Sequence, residues 1–275
     1  MREFVEVAAG VYVLRYPVLD VNTTLVVGDG AALVVDTLST AGQAEEMVAA
    51  VRRVTPYPWL VVNTHQHFDH AFGNATLAGA DGCPIWAHEE AAAYLRERGE
   101  EMRRGIAEWY ADVDPQFAAE IAAVTIVPPD RTVHLESTVD VGGRPVVLRH
   151  FGRAHTAGDL VVRIPDVDVA VLGDIIEESG PPAFDDAYPL DWPDTLAAVL
   201  PVLAESTVVV PGHGAVVGRE FVAAQHEQLT AFAWLIREGH ADGAAPEKVA
   251  ARSPFGAEYS LPAVNRGYAE LGGKD

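Results

Sequence analysis

Four potential metal ligands fall within six residues in the stretch His65-x-His67-x-Asp69-His70. Imidazole nitrogen and carboxylate oxygen are donors that zinc and similar borderline ions accept readily. His65 and His67, two apart on a short loop, can share one ion, and Asp69 and His70 can face a second. The plain alternative is a polar loop whose histidines only hydrogen-bond. With 10 histidines spread over 275 residues, a run this dense argues against it. Three further candidates each follow a strand-like run: His155 within 152–159, Asp174 after Gly173, and His213 between Gly212 and Gly214. Small neighbours let backbone approach a metal closely. Any one of the three alone reads better as a turn residue; in order after the first cluster they complete a donor set for two ions. Asp69 is also the carboxylate given a catalytic part. Asp36 and Asp159 could either orient ligand histidines or cap turns. His88 reads as a helix cap, and His134, His150, His226 and His240 as surface or hydrogen-bonded residues. Phe68, Phe72, Trp109, Tyr110, Phe184, Tyr188 and Trp192 lie near the ligand segments and receive no site role.

These ligands must be positioned by strand ends. β-rich runs at 11–15, 23–27 and 31–35 open the chain, the last two joined by a hairpin signal at Gly28-Asp29-Gly30. Ser39 or Thr40 can cap a helix to about Val54, with Met47, Val48, Val51 and Val54 at helical spacing. A buried strand at 59–62 then runs directly into the histidine cluster, on the kind of loop where α/β proteins place chemistry. Residues 88–123 read as a helical insertion broken near Pro115. Strand signals return at 144–150, 160–164 and 169–172. A Pro-rich loop at 180–193, a helix to about Leu203 and a buried strand at 207–210 follow. The segment 219–271 reads as helical with a break near Pro254. The layout predicts two β-rich halves packed face to face with helices outside, an α+β chain forming a single domain over 1–275.

Composition narrows the function. The 19 Lys and Arg against 40 Asp and Glu give a formal charge of −21, which repels nucleic-acid backbones and anionic membrane surfaces. No apolar run is long enough to span a bilayer and no leader pattern opens the chain, so a cytoplasmic protein acting on a small molecule, with no nucleic-acid or membrane partner, is expected. A hydrophobic share of 49% is ample for a core. The lone Cys83 excludes internal disulfides and Cys-rich zinc modules, leaving metal chemistry to His, Asp and Glu. Oligomeric state is not encoded in any of these features.

Taken together, the motifs resemble the metallo-β-lactamase superfamily in its glyoxalase-II-like hydrolase branch, over roughly residues 10–215. The resemblance implies an αββα sandwich with the site at one edge between the sheets. It implies that His65, His67 and His155 bind one metal, that Asp69, His70 and His213 bind the other, and that Asp174 bridges them. Zinc β-lactamases of the best-known subclasses carry Cys where Asp174 stands, which argues against antibiotic hydrolysis. The basic, Tyr-containing glutathione patch of glyoxalase II has no counterpart in the acidic helices after His88. The Tyr that lactonases place after the bridging Asp is replaced by the stretch 175–179.

The expected activity is therefore a dinuclear zinc hydrolase, with two Zn2+ per chain, cleaving an ester, thioester or lactone through a metal-bridging hydroxide. Iron or manganese are the alternative metals. Competing readings are a mononuclear iron persulfide dioxygenase, a phosphodiesterase or β-lactamase-like amide hydrolase, and a structural metal clamp, for which seven ligands are more than a closed site needs. The insertion and the 180–193 loop are expected to shape specificity, so that exchanging them alters substrate choice and leaves metal content intact.

Overall fold

The computed structural model describes residues 3–79 and 82–273. The first half of the chain builds seven strands: β1 (Val5–Ala8), β2 (Val11–Tyr16), β3 (Val21–Val27), β4 (Ala32–Val35), β5 (Trp59–Val62), β6 (Ile85–His88) and β7 (Arg131–Val133). Between them lie α1 (Ala41–Val54), α2 (Phe68–Ala71), α3 (Asn74–Ala78), α4 (Glu89–Tyr110) and α5 (Pro115–Ala122). The second half adds β8 (Glu136–Val141), β9 (Arg144–Arg149), β10 (Val161–Ile164), β11 (Val169–Glu177), α6 (Trp192–Val199) and β12 (Val208–His213). The helices α7 (Arg219–Ala241), α8 (Pro246–Ala250) and α9 (Ala257–Leu271) follow.

β1 to β4 form an antiparallel meander, continued by parallel β5, β6 and β7. The second sheet runs β12-β11-β10-β9-β8, with β11 and β12 parallel and the rest antiparallel. One residue pair, His213 with Val21, joins the two sheets along their hydrogen-bonded path. Alternation within single strands explains the layering, because successive strand residues face opposite ways. In β4, Leu33 and Val35 enter the core between the sheets, while Ala32 and Val34 turn outward beneath Met47 and Val51 of α1. In β11, Val169 and Val171 face the first sheet, and Ala170 and Leu172 lie under α6, α7 and α9. This is the αββα sandwich that the motifs implied.

Thr40, not Ser39, caps α1: its side chain accepts from the Gln43 amide at 3.3 Å, while Gln43 Oε1 accepts from the Ser39 amide at 3.1 Å. The paired bonds satisfy two amides that a helix start leaves open. The insertion is two helices, since Asp114 caps α5 and Pro115 takes its first turn. Leu95, Phe117 and Ile121 of α4 and α5 pack on Ala71 and Phe72, beside the histidine loop. The expected helix to Leu203 gives way after Val199 to a short 3-10 turn at Leu200–Val202. No helix among the described residues is long and apolar enough to cross a membrane.

Candidate metal centre

All seven expected ligands meet at one edge of the sandwich. His65, His67, His155 and Asp174 offer one group of donor atoms, and Asp69, His70 and His213 a second, each group lying within 4.8 Å of one another. His65, His67, Asp69 and His70 come from the loop after β5 and the short α2, Asp174 from within β11, His213 from the end of β12, and His155 from the loop leading to β10. Asp174 lies between the groups: its oxygens stand 3.6 Å from His65 Nε2, 3.4 Å from His155 Nε2, 3.1 Å from His70 Nε2 and 3.3 Å from His213 Nε2. Asp69 Oδ2 is 3.6 Å from His70 Nε2 and 3.4 Å from His213 Nε2.

The outward nitrogen of every ring is already engaged. His155 Nδ1 donates to the Ala183 carbonyl at 3.2 Å, and His213 Nδ1 to the Leu19 carbonyl at 2.8 Å. A carbonyl only accepts, so both rings carry their proton at Nδ1 and turn an Nε2 lone pair inward. His70 Nδ1 donates to Asp36 at 2.9 Å, and His65 Nδ1 to Thr64 Oγ1 at 3.0 Å. Asp36 in turn accepts from the Thr64 amide and hydroxyl, each at 2.7 Å, so it orients His70 directly and His65 through Thr64. His67 is reversed. Its Nε2 meets Asp186 Oδ1 at 2.9 Å, and its Nδ1 faces His155 Nε2 at 2.8 Å.

The donor set fits divalent metal ions. His65 Nε2 is buried with no hydrogen-bond partner, and orphaned buried polar atoms are rare unless something satisfies them. Lone pairs 2.8 Å apart repel unless a cation or proton lies between them. A Cβ on Gly212 would sit 1.7 Å from Asp174 Oδ1, so that position has to lack a side chain for the carboxylate to take its place. Electrostatics agree in direction. Burial opposes charge on Asp174, but the rings of His70, His213, His65 and His155 outweigh it and hold its carboxyl well below the ordinary range. Nearby Glu177 moves the other way, up to about 8, through burial and then the charge of Asp174. Burial takes His155 down to about 4 against the pull of Asp174. Burial also lowers His67, but Asp186 reverses the balance and takes that ring up to about 9.

The two undecided aspartates separate. Asp36 bonds the ring of His70, whereas Asp159 closes a turn by accepting from the Thr156 amide at 2.9 Å and hydroxyl at 2.7 Å. His88 caps α4, accepting from the Glu90 amide at 3.3 Å, and stacks on His150. Phe184 and Trp192 are core residues, while Phe68 and Tyr110 lie against the α4 and α5 cluster. Asp186, Thr64 and the carbonyls of Ala183 and Leu19 are contributors that sequence reasoning missed. Thr64 adjoins His65 and was within reach of the motif; the others carried no pattern. The 180–193 loop supplies both Asp186 and the Ala183 carbonyl to candidate ligand rings, so an exchange that leaves metal content intact has to preserve both contacts.

The family model for the metallo-β-lactamase superfamily matches residues 16–213, a span that begins in β2 and ends on the last candidate ligand. The chain belongs to the metallo-β-lactamase superfamily. Among superfamily relatives, an uncharacterized protein of Mycobacterium tuberculosis is 28% identical over 193 residues, covering 66% of this chain and 80% of that protein. The probable metallo-hydrolase YqgX of Bacillus subtilis is 23% identical over 209 residues, covering 73% of this chain and 89% of its own. Among solved structures, a metallo-β-lactamase from Pontibacter korlensis superposes with a TM-score of 0.63 at 19% identity over 84% of this chain and 99% of that one. The sec-alkylsulfatase Pisa1 from Pseudomonas sp. reaches 0.77 at 17% identity, over 98% of this chain but 50% of that longer one. At these identities the structural likeness speaks for the fold. Superfamily membership and the seven-donor cluster together support the class of metal-dependent hydrolase.

Proposed function

We propose that the chain is a dinuclear zinc hydrolase cleaving an ester, thioester or lactone of a small molecule. The observation that carries this reading is the convergence of five imidazole nitrogens, each with its opposite ring nitrogen engaged, on two carboxylates in a buried space. His65, His67 and His155 would hold one ion, Asp69, His70 and His213 the other, and Asp174 would contact both. When bound, the two ions would acidify water and polarise a carbonyl oxygen. The surrounding residues supply the rest: Asp36, Thr64, Leu19 and Ala183 fix ring orientation, and Asp69, whose Oδ2 stands 3.4 Å from His213 Nε2, is the carboxylate with a catalytic part. The formal charge of −21 disfavours polynucleotide phosphodiesters.

The test is elemental analysis of chain purified without chelators, with hydrolysis of a thioester and lactone panel before and after stripping and zinc reloading. An alkyl sulfate belongs in the panel, because the likeness to the sec-alkylsulfatase extends over α7 to α9. Near two zinc per chain with zinc-restored acyl hydrolysis is the expected result. One iron per chain, with oxygen uptake on a persulfide and no hydrolysis, would replace this reading with the dioxygenase.

A further inference from the structure

His67 is the one ligand ring turned the other way, and the cause lies outside the motif that carries it. Unlike its four neighbours, it presents Nδ1 to the centre, so its proton must sit at Nε2. In water the imidazole places its proton on either nitrogen. Here Asp186 Oδ1, 2.9 Å from Nε2, accepts that proton and selects the tautomer.

Asp186 is itself held by two distant parts of the chain. The carbonyl of the next residue, fully buried Ala187, accepts from Arg266 Nε of α9 at 2.5 Å. The Tyr188 amide donates to the Ala154 carbonyl at 2.8 Å, tying the loop to the residue before His155. Arg153 lies over the Tyr188 ring at 4.3 Å and bonds Asp191 at 2.8 Å. Gly267 lets α9 come this near: a Cβ there would meet Ile236 at 2.6 Å and Leu190 at 3.5 Å. The helix that fixes the loop thus lies beyond residues 16–213, the span the superfamily model matches.

We propose that Asp186 is a positioning residue that sets the tautomer and aim of His67, and that Arg266 extends this control to the C-terminal helix. The proposal rests on the metal-centre reading above. Ligand-orienting partners of this kind are worth about 10–100-fold in metal affinity.

The experiment is zinc binding by chelator competition in two backgrounds, His213→Ala to isolate the ion on His65, His67 and His155, and His155→Ala to isolate the other. Asp186→Ala is expected to weaken zinc about 10–100-fold in the first background and leave the second unchanged. Asp186→Asn, which keeps an acceptor oxygen, should recover part of the loss, and Arg266→Ala should shift the same ion by a smaller factor. Nitrogen-15 spectra of zinc-loaded chain should place the His67 proton at Nε2 in the parent and show that signal lost or moved in Asp186→Ala. Unchanged affinity in the first background, or an equal loss in both, overturns the proposal. If Asp186→Ala does not fold, the same comparison on Asp186→Asn decides it. A parental chain that binds no zinc would instead bring down the metal-centre reading, and this proposal with it.

Discussion

Replacing Asp36 by Asn should cost the second ion its ligand while leaving the fold standing. Asp36 sits at a φ of 65°, a left-handed conformation that Asn tolerates better than other replacements, so the backbone is spared. Its Oδ1 accepts from the Thr64 amide at 2.7 Å, and that buried donor has to keep an oxygen partner. The new amide nitrogen therefore replaces Oδ2, which faces Thr64 Oγ1 at 2.7 Å and His70 Nδ1 at 2.9 Å. Thr64 Oγ1 has two lone pairs and can accept from both the amide and His65. His70 has no such freedom: an N–H aimed at Nδ1 demands a lone pair there, which moves the ring proton to Nε2, the nitrogen facing Asp174. The expected result is a loss of about 10–100-fold in affinity for the ion on Asp69, His70 and His213, or about 1.4–2.8 kcal/mol, with the other ion changed much less. Asp36→Ala should also destabilise the metal-stripped chain by about 3–5 kcal/mol, because it leaves buried partners unpaired. Zinc competition and urea unfolding measure the two effects separately. An Asp36→Asn chain that holds the second ion with parental affinity, or loses the first in its place, would refute this tautomer argument.

Three other perturbations test independent parts of the structure. Burial, and then the charge of His150, takes His88 down to about 4, so its neutral ring favours the fold fully above the unfolded value of about 6.5 and that contribution is lost as pH falls from there toward 4; urea midpoints of stripped chain should fall less steeply over that window in His88→Gln. Gly212→Ala puts a Cβ 1.7 Å from Asp174 Oδ1 and should displace the shared carboxylate, reducing zinc below the parental content on elemental analysis. Phe232→Ala empties a fully buried position against Phe184 and Phe255 and should cost about 3–5 kcal/mol in unfolding with metal content unchanged.

The candidate donors were legible because four of them fall within six residues and the other three follow apolar runs beside small residues. β4 and β11 are buried on both faces, so they read as strands without revealing which residues face which layer. β6 and β7 escaped notice because they are four and three residues long and pair in parallel with partners distant in sequence, so no hairpin signal marks them. β8 has Glu136, Thr138 and Asp140 exposed along one face, and its polar half hid the strand. The orienting groups were harder still. A backbone carbonyl has no sequence signature, and Leu19 reaches His213 only because Leu19 and Asp20 both take positive φ, with Asp20 anchored on Arg15 at 2.5 Å. Asp186 adjoins an equivalent Asp185, and only the folded loop distinguishes them.

Among the described residues the two sheets share one strand-ladder pair, and the candidate metal centre lies at that seam. Each donor group draws from both halves of the chain: His67 and His155 meet across 88 residues of sequence, and His70 and His213 across 143. An ion held by both halves closes a loop as a covalent bridge does, and by chain-entropy reasoning for disulfides a closure of that length disfavours the unfolded state by about 4–5 kcal/mol. In a chain whose lone cysteine rules out an internal disulfide, coordination is the available cross-link. The ions that serve the chemistry would thereby also act as rivets, and stripping them should loosen the halves from one another before either half comes apart.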